Sequence, residues 1–556
     1  MKTFRYIIAV LAAAIGLSAC VDDLNVKPID PFMLPENEAL TTPEDYLALL
    51  GQCYTGFATS GSYGPNGANN ISGVDGGFSQ YFRGRYHLNG LTTDEAVCGW
   101  NDQTLQNLHG LSWTTDDVFV AAFYYRIFYQ LSALNNFIRY VNRAEIELPE
   151  KDLWIAEART LRALCWLDAI DNYGNVPFAD ENTPVGMYTP EQISRDSLFN
   201  YIEADLKDVL AGDALYDYGQ GGYGRANKGL AAMILAKLYL NAEVYVGKKM
   251  YQECADVLSK LEGRYSLHTE VNGTGENPYQ ELFLADNNEC TEEIIWAVMQ
   301  DGLNTQSYGV TNYLIFASTG GDMNAAAVGI SSGWGGLRTT PEFYDKFEKD
   351  DMRKLFYDKD AQQAWWEEQY MAYIDALPSG ETQLDFKAWV KAEEKVEQKK
   401  EISDISTFTD GYAFMKFRNV KNNGDKAQAT GFVDVDFPVF RYADALLMLA
   451  ECELRGAELK GIKGQAAFDT VRKRAGLATK PLTLDAVLDE RACELYQEGW
   501  RRSDLIRFGR FTSDSYLWSW KGGAETGQGV GSHMALFPIP DSDRNANPNL
   551  DQNEGY

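Results

Sequence analysis

Hydrophobic residues recur every three to four positions in several long segments, which is the spacing of amphipathic α-helices. In residues 153–173 this spacing places Ile155, Ala158, Leu161, Cys165, Leu167 and Ile170 on one broad side. Gly174 follows as a predicted helix stop. The same spacing predicts helices over residues 228–246, 251–261, 441–455, 465–474 and 485–499.

These segments form pairs of helices joined by turns, with Ala, Leu and Tyr at the predicted contacts. Helix pairs of this kind stack in tetratricopeptide repeats. The spacing between pairs is irregular here. We therefore predict a mainly α fold, a degenerate tetratricopeptide-like scaffold of helix pairs whose long irregular loops form a ligand face.

Two stretches between the periodic segments predict long loops. Residues 56–77 are rich in glycine, and residues 302–336 are rich in Gly, Ala, Ser and Thr around Tyr308, Tyr313 and Trp334. Loops of this length are usually functional when they are ordered. A helical scaffold that carries glycine-rich, aromatic loops is typical of a binding protein.

The N-terminus predicts a lipid anchor. Lys2 and Arg5 precede an apolar run, residues 6–17, that is about half the length needed to cross a bilayer and ends just before Cys20. Residues 1–19 would be a lipoprotein signal peptide, 20–35 a lipidated, proline-containing tether and 36–556 one globular domain. An ordinary secretory signal with a chance cysteine is the alternative.

The net charge of the chain disfavours some classes of binding partner. The chain carries a formal charge of −30, which repels nucleic acid and anionic lipid. We expect no nucleic-acid partner, and contact with a membrane only through the anchor at Cys20. A neutral ligand held by stacking and hydrogen bonds suits this surface.

Cysteine and histidine usage argues against a disulfide framework and a zinc site. Seven cysteines remain after Cys20, none in a C-x-x-C, and Cys165, Cys452 and Cys493 lie among apolar helical residues. The four histidines are far apart in sequence, and no H-E-x-x-H occurs. No cofactor is required by any motif.

One motif resembles that of a hydrolase. Residues 329–333 read Gly-Ile-Ser-Ser-Gly, but a nucleophile elbow needs a strand before Ser331, a helix after it and later acidic and histidine partners. Here the flanks are loop-like and only His533 follows. A glycosidase needs two carboxylates flanking the bond, which 80 acidic residues cannot exclude, but no hydrolase pattern occurs. We therefore expect a protein without enzyme activity.

The C-terminal third carries five motifs in a recognisable order. They are DFPVFRYAD with LLMLAE (residues 436–451), VRKRAG (471–476), the acidic and arginine pairs of 490–495, EGWRRSDLIRFG (498–509), and FPIP with NP and QNEGY (537–556). Together they resemble the SusD/RagB family of outer-membrane nutrient-binding lipoproteins, over essentially the whole mature chain.

The charged residues of these motifs have a structural interpretation. We expect a partly buried ion-pair network between helices rather than a catalytic cluster, since structural networks commonly have this composition. The residues concerned are Arg472, Arg474, Glu490, Arg491, Glu494, Glu498, Arg501 and Asp504.

Within the family, the loops are most similar to those of its starch-binding member. There the positions matching Trp100, Tyr308 and Trp334 form a curved aromatic arc, and those matching Asp75, Arg83 and Gln103 contact sugar hydroxyls. The resemblance thus implies a ligand site at Asp75, Arg83, Trp100, Asn101, Asp102, Gln103, Tyr308 and Trp334. Gln103 stands where the starch binder has asparagine, and Cys98 where it has a further tryptophan.

An aromatic arc suits a coiled α-1,4-glucan. Each pyranose has a face of C–H groups that a ring covers, and a rim of hydroxyls that carboxylate, guanidinium and amide groups pair. The alternative is that the three rings belong to the core, as most aromatic residues do, although their glycine-rich surroundings argue against it.

A calcium site is a further implication of the resemblance. Asn288, Asp434 and Asp436 resemble positions that bind calcium in the starch binder, and the two aspartates are a suitable pair of hard oxygen ligands. The alternative is an acidic turn at a helix N-terminus.

The resemblance implies a lipid-anchored protein on the outer face of the outer membrane. It would bind starch or maltooligosaccharides and deliver them to a SusC-like TonB-dependent transporter, alongside other surface glycan-binding lipoproteins. The alternatives are the same role with another glycan or a peptide, and a surface glycoside hydrolase.

Overall fold

A computed structural model describes residues 40–62, 64–65, 69–186, 189–271 and 277–556. The predicted signal peptide, the anchor at Cys20 and the tether of residues 20–35 lie outside the described residues. None of the helices in these ranges is both long enough and apolar enough to cross a membrane.

The fold is mainly α, as the periodicity predicts. Within the described ranges we number nineteen α-helices: α1 Pro43–Thr55, α2 Tyr81–Asn89, α3 Gln103–His109, α4 Val118–Arg143, α5 Lys151–Asn172, α6 Arg195–Ala211, α7 Lys228–Leu240, α8 Ala242–Val246, α9 Tyr251–Leu258, α10 Pro278–Glu281, α11 Val310–Ser318, α12 Pro341–Tyr344, α13 Lys359–Ala376, α14 Phe386–Ala392, α15 Tyr442–Leu454, α16 Gly464–Arg474, α17 Leu484–Leu495, α18 Arg501–Arg507 and α19 Asp541–Ala546.

Every periodic segment forms helix, with corrections at the ends. Residues 228–246 form two helices, α7 and α8, which meet at Asn241. The segment 485–499 ends as helix at Leu495, because Tyr496 is extended and Gln497 has a φ of 60°. That turn aims the backbone N–H of Gln497 at a carboxylate oxygen of Glu95, 3.0 Å away.

Successive helices pack side by side. α4 packs on α5, α5 on α6, α6 on α7 and α7 on α9. α9 then packs on α15, although residues 259–441 lie between them in the chain, and α15 packs on α16. The tetratricopeptide-like description fits this arrangement, in which long insertions separate neighbouring helices.

Helix α4 is the longest helix of the described chain, with 26 residues. The side chain of Asp117 caps it by accepting from the backbone N–H groups of Phe119 and Val120. Its inner side buries residues such as Phe123, Ile127, Leu134 and Ile138.

Eight short strands complete the described fold: β1 Ala96–Cys98, β2 Val176–Pro177, β3 Gln192–Ile193, β4 Ile294–Val298, β5 Leu337–Thr339, β6 Phe356–Tyr357, β7 Tyr412–Phe414 and β8 Phe437–Arg441. Four of them form an antiparallel sheet in the order β1-β5-β7-β6. Val97 of β1 lies opposite Arg338 of β5. This pairing brings the chain after β1 next to the chain before β5.

The predicted ion-pair network is present and fully buried. Arg441 on β8 pairs with Glu293 at 2.7 Å, Glu494 at 2.9 Å and Glu498 at 2.7 Å. Arg474 adds a second pairing to Glu293 at 2.8 Å. Strand β8 and the chain before β4 are therefore joined to helices α16 and α17 by charge as well as by apolar packing.

The cysteines behave as small hydrophobes. The seven cysteines of the described chain, from Cys53 to Cys493, are free and buried. The prediction of buried thiols without a disulfide framework is confirmed for these residues.

The prediction of one continuous loop over residues 302–336 is wrong in part. Val310–Ser318 forms helix α11, and all nine residues are buried. The apolar stretch around Leu314 and Ile315 outweighs the flanking glycines because it packs into the core. Tyr313 therefore belongs to the core, whereas Tyr308 and Trp334 stay on the loops that flank the helix.

Candidate functional site: an aromatic arc

Three half-buried rings from distant parts of the chain lie in contact. The ring centres of Trp100 and Trp334 are 6.2 Å apart, and those of Tyr308 and Trp334 are 5.5 Å apart. The structure thus brings together the three rings of the predicted aromatic arc. Trp334 stands between the other two.

The β1–β5 pairing positions the two tryptophans. Beyond the strands, the backbone N–H of Gly99 donates to the carbonyl oxygen of Gly336 over 3.0 Å. The indole N–H of Trp100 points at the carbonyl oxygen of Trp334, 3.4 Å away. A Cβ at Gly336 would lie 2.6 Å from that indole nitrogen, so the close approach requires glycine.

The loop that carries Trp334 is fixed to the end of helix α11. The backbone N–H groups of Trp334, Gly335 and Gly336 donate to the carbonyl oxygens of Phe316, Thr319 and Ala317 at 2.7, 2.9 and 2.7 Å. Carbonyls at a helix C-terminus have no partners within the helix, so the loop satisfies them. The helix end and the loop therefore stabilise each other.

A fourth ring extends the arc. Phe432 stacks on Tyr308 with ring centres 5.6 Å apart and an interplanar angle of 30°. It is half-buried, like its neighbour. No sequence signal marks it, because it lies in a short polar stretch remote from Tyr308 along the chain.

Two core rings support the arc from below. Phe316 lies 4.9 Å from Trp334, and Tyr313 lies 5.8 Å from Trp100, both measured between ring centres. Both supporting rings are buried. Trp334 therefore has more packing partners than the glycines of its own loop suggest.

Arg83 lies on helix α2 and not in a loop. Its Nη1 donates to the carbonyl oxygen of Gly77 over 2.7 Å and to that of Tyr308 over 3.0 Å. The guanidinium also lies 4.4 Å above the ring of Tyr313. Burial lowers the pKa of Arg83 to about 10, against the opposing effect of nearby Asp75 and Asp102. Arg83 thus holds the chain on both sides of the arc.

The remaining polar residues of the predicted site are exposed. Asp75 accepts from the backbone N–H of Gly77 over 2.7 Å. Asp102 precedes the first residue of α3, where Gln103 donates to Asn107 over 2.9 Å. Asn101 accepts from Gln106 over 3.4 Å.

The position of Cys98 offers no exposed side chain. Cys98 is the last residue of β1 and is buried, and burial raises the pKa of its thiol to about 11. Gln103, on the same stretch of chain, is exposed.

Two of the three residues of the predicted calcium site serve other contacts. Asp434 accepts from the backbone N–H groups of Gly302 and Gln428, and Asp436 accepts from that of Gln300. Asn288 is exposed, on the 3-10 turn Asn287–Glu289.

The described chain has no group of three or more His, Cys, Asp or Glu side chains that could hold a metal ion. The Asp434 and Asp436 carboxylates hold backbone in place, which explains them without an ion. Calcium binding stays a prediction.

The G-x-S-x-G motif has no elbow geometry. Ser331 is exposed and follows a 3-10 turn, Ala325–Val328, rather than a strand. Strand β5 comes next in the chain, where an elbow requires a helix.

Known proteins are similar to this chain in sequence and in fold. A sequence profile of the SusD family matches residues 292–556. The starch-binding protein SusD of Bacteroides thetaiotaomicron is 32% identical and covers all of both chains.

Solved structures with the same fold include surface glycan-binding protein A of Bacteroides thetaiotaomicron in complex with laminarihexaose. It is 19% identical, with a TM-score of 0.68 over 92% of this chain and 100% of that one. Surface glycan-binding protein A of Bacteroides fluxus is 22% identical, with a TM-score of 0.65 over 93% of this chain and 100% of that one. Together with the full-length match in sequence, these similarities show that the chain belongs to the SusD family.

Proposed function

We propose that this protein binds starch or maltooligosaccharides at the aromatic arc, on the outside of the cell, and passes them to a SusC-like TonB-dependent transporter. Proteins of the SusD family are glycan-binding and non-catalytic, and this chain is not an enzyme. The ligand, the transporter and the location are the parts that we propose.

The contact between Trp100, Trp334 and Tyr308 carries the proposal. Their ring planes are inclined to one another, by 53° and 82°, so the row presents edges and faces in several directions and not one flat platform. Successive sugar faces of a coiled α-glucan also turn along the chain. Apolar C–H faces gain by leaving water against such rings.

Exposed polar groups would pair with the hydroxyls of the sugar, three of them on the residues that directly follow Trp100 in the chain. Asp75, Asn101, Asp102 and Gln103 are exposed and supply carboxylate and amide groups. A weakly binding site needs only a few such groups to fix the register of a sugar on the rings.

The similarities to known proteins support a glycan ligand and leave two classes of glycan as candidates. The full-length relative is a starch-binding protein, which favours an α-glucan. A structural neighbour is in complex with laminarihexaose, so a β-glucan such as laminarin is the second candidate. The relative of higher identity decides our preference for starch.

Affinity electrophoresis tests the ligand. Native gels containing amylopectin, pullulan, dextran or laminarin are run with wild type and with Trp334→Ala. Retardation of the wild type by amylopectin and pullulan, reduced in the variant, is the expected result. Retardation by laminarin alone would show that the ligand is a β-glucan and not starch. After incubation with the protein, maltoheptaose should be recovered uncut.

The anchor and the transporter form a separate part of the proposal. Cys20, at the end of the predicted signal peptide, would carry the acyl chains that hold the protein on the outer membrane. Copurification of a TonB-dependent transporter with the membrane-anchored protein is the expected result. Recovery of the native protein without such a transporter would contradict this part.

A further inference from the structure

A groove that shares no lining residue with the arc lies between helices α1 and α4. It has a volume of about 400 Å³ and is walled on one side by the glycine-rich chain from Gly56 to Ser62 together with Asn70. Residues of α4 from Tyr129 to Tyr140 form the opposite side. We call it the α1–α4 groove.

The lining of this groove is free of charge. Of the sixteen described residues that line it, none is Asp, Glu, Lys, Arg or His. Charged residues make up 23% of the chain, which would put about four in a set of this size. The groove is therefore a neutral surface on a protein of net charge −30.

The polar side chains that line the groove carry hydroxyl and amide groups and no charge. The exposed or half-buried polar side chains of the lining include those of Gln52, Thr59, Ser62, Asn70 and Asn136. Each can both donate and accept hydrogen bonds, as the hydroxyl groups of a neutral sugar do. Ionic ligands would find no partner of opposite charge here.

Aromatic rings stand at both ends of the α4 side. Tyr129 is 36% exposed and Tyr140 is half-buried. Eleven residues separate them, which on an α-helix is ~16 Å along the axis and nearly the same face. Two rings on one face, with amides and hydroxyls between them, match the faces and rims of a short run of sugar units.

The groove is held open by fixed contacts. Buried Arg126 of α4 donates to the carbonyl oxygen of Ser79 over 2.7 Å and to Asn69 over 2.9 Å, which ties the glycine-rich wall to the helix. Below, the side chain of Gln130 donates to the carbonyl oxygen of Cys53 over 2.5 Å. A Cβ at Gly56 would lie 2.3 Å from the side-chain oxygen of Gln130, so a larger residue there would displace the Gln130 side chain.

We propose that the α1–α4 groove is a second binding site for neutral glycan, separate from the aromatic arc. The loop that walls the groove also carries Asp75, and its Gly77 is the residue held by Arg83 beside the arc. Two sites on one molecule would raise the apparent affinity for a polysaccharide above that for a short oligosaccharide, since a long chain engages both.

The test removes one ring and one amide from the groove. Tyr129→Ala/Asn136→Ala is compared with Tyr218→Ala/Asn142→Ala, which makes the same changes outside the groove. Each pair is made with Trp334 intact and with Trp334→Ala, and melting curves verify folding. Binding is measured by affinity electrophoresis in amylopectin and laminarin, and by calorimetry with maltoheptaose and laminarihexaose.

We expect the groove variant to lose about five- to thirty-fold in affinity for the polysaccharide that retards the wild type, and the control none. In the Trp334→Ala background it should abolish the retardation that remains. Equal migration of groove and control variants in both backgrounds would overturn the proposal. If the groove variant melts early, Gln52→Ala on the exposed side of α1 replaces it.

The same experiment separates the two sites. If Trp334→Ala has no effect while the groove variant loses binding, the arc fails and the groove stands. If no polysaccharide or oligosaccharide binds the wild type, both proposals fail.

Discussion

Arg83 and Tyr308 are joined through the backbone, because the Arg83 guanidinium donates to the carbonyl oxygen of Tyr308 and not to its ring or hydroxyl. Arg83 is 6% exposed, so little of it can reach a ligand. The resemblance assigns this position a contact with sugar hydroxyls. That contact stays a prediction. The hydrogen bond shows in addition that Arg83 positions Tyr308, while Asp75 and Gln103 are exposed.

Arg83→Lys tests this positioning. Lysine keeps a positive charge but has no planar guanidinium to stack on the ring of Tyr313 while it donates to the carbonyl oxygens of Gly77 and Tyr308. We expect a loss of stability of about 1.5–3 kcal/mol and weaker glycan binding, measured by denaturant unfolding and affinity electrophoresis. A lysine variant with normal stability and weakened binding would indicate direct contact with the ligand.

Trp334→Ala should weaken glycan binding at the arc. The loss of one stacking ring costs on the order of 1–3 kcal/mol, or about five- to hundred-fold in affinity. The melting temperature should fall moderately as well, because the ring packs on Phe316 and Trp100. Trp334→Phe should recover most of the stability. Unchanged binding by a folded alanine variant would show that the arc does not bind the ligand.

Glu494→Gln should destabilise the fold without a direct effect on the arc. Burial opposes ionisation of Glu494, but Arg474, Arg441 and Arg353 outweigh it and lower its pKa to about 2. Removing one charge from a buried network costs about 3–5 kcal/mol. Urea unfolding measures this cost, and Glu243→Gln, at a far more exposed carboxylate, is the control.

The pH dependence of the stability of the wild-type protein follows from the ionisation of Glu494. A folded pKa below the unfolded value stabilises the protein at neutral pH, and this contribution is lost as pH falls from about 5 to 2. The Glu494→Gln variant should lose less stability than the wild type over that interval. Parallel curves would contradict the ionised state of Glu494.

Asp436→Asn tests the predicted calcium site. Burial, reinforced by Asp434, raises the pKa of Asp436 to about 7. A raised folded pKa contributes stability at low pH that is lost as pH rises from about 4 to 7. Relative to wild type, the variant should therefore melt higher at pH 7.5 than at pH 5. Calcium chloride that raises the melting temperature of the wild type alone would contradict this account and show ion binding.

Cys20→Ala tests the anchor. We expect the variant to keep its signal peptide and to be absent from outer membranes, because acylation requires the thiol. Cell fractionation measures where the variant is found, with an antibody against another lipoprotein as the control. Protease added to intact cells should cleave the wild-type protein. Wild-type protein that resists protease on intact cells would contradict the outward orientation.

The helical scaffold was predictable where the period is long and regular. Helix α5 begins within two residues of its predicted start because its apolar face repeats over six turns. Helix α11 was not predicted, because nine buried residues between glycine-rich flanks carry no amphipathic period. The two- to five-residue strands are likewise too short for alternation to mark them.

The aromatic arc was likewise predictable only in part. Trp100, Tyr308 and Trp334 came from the resemblance of their loops, and the structure adds why they meet: the β1–β5 pairing and the end of α11. Phe432 was missed because only the folded chain places it on Tyr308. Contacts between residues more than a hundred positions apart leave no local pattern.

The loop of Trp334 is hydrogen-bonded to α11 before any ligand arrives. Binding then requires little ordering of the protein, so most of the entropic cost falls on the sugar chain. Glycans whose free conformation already follows the curve of the rings should bind best, and stiff or straight chains built from the same monosaccharide should be rejected. Discrimination would thus depend on the solution shape of the polymer more than on the chemistry of any one hydroxyl.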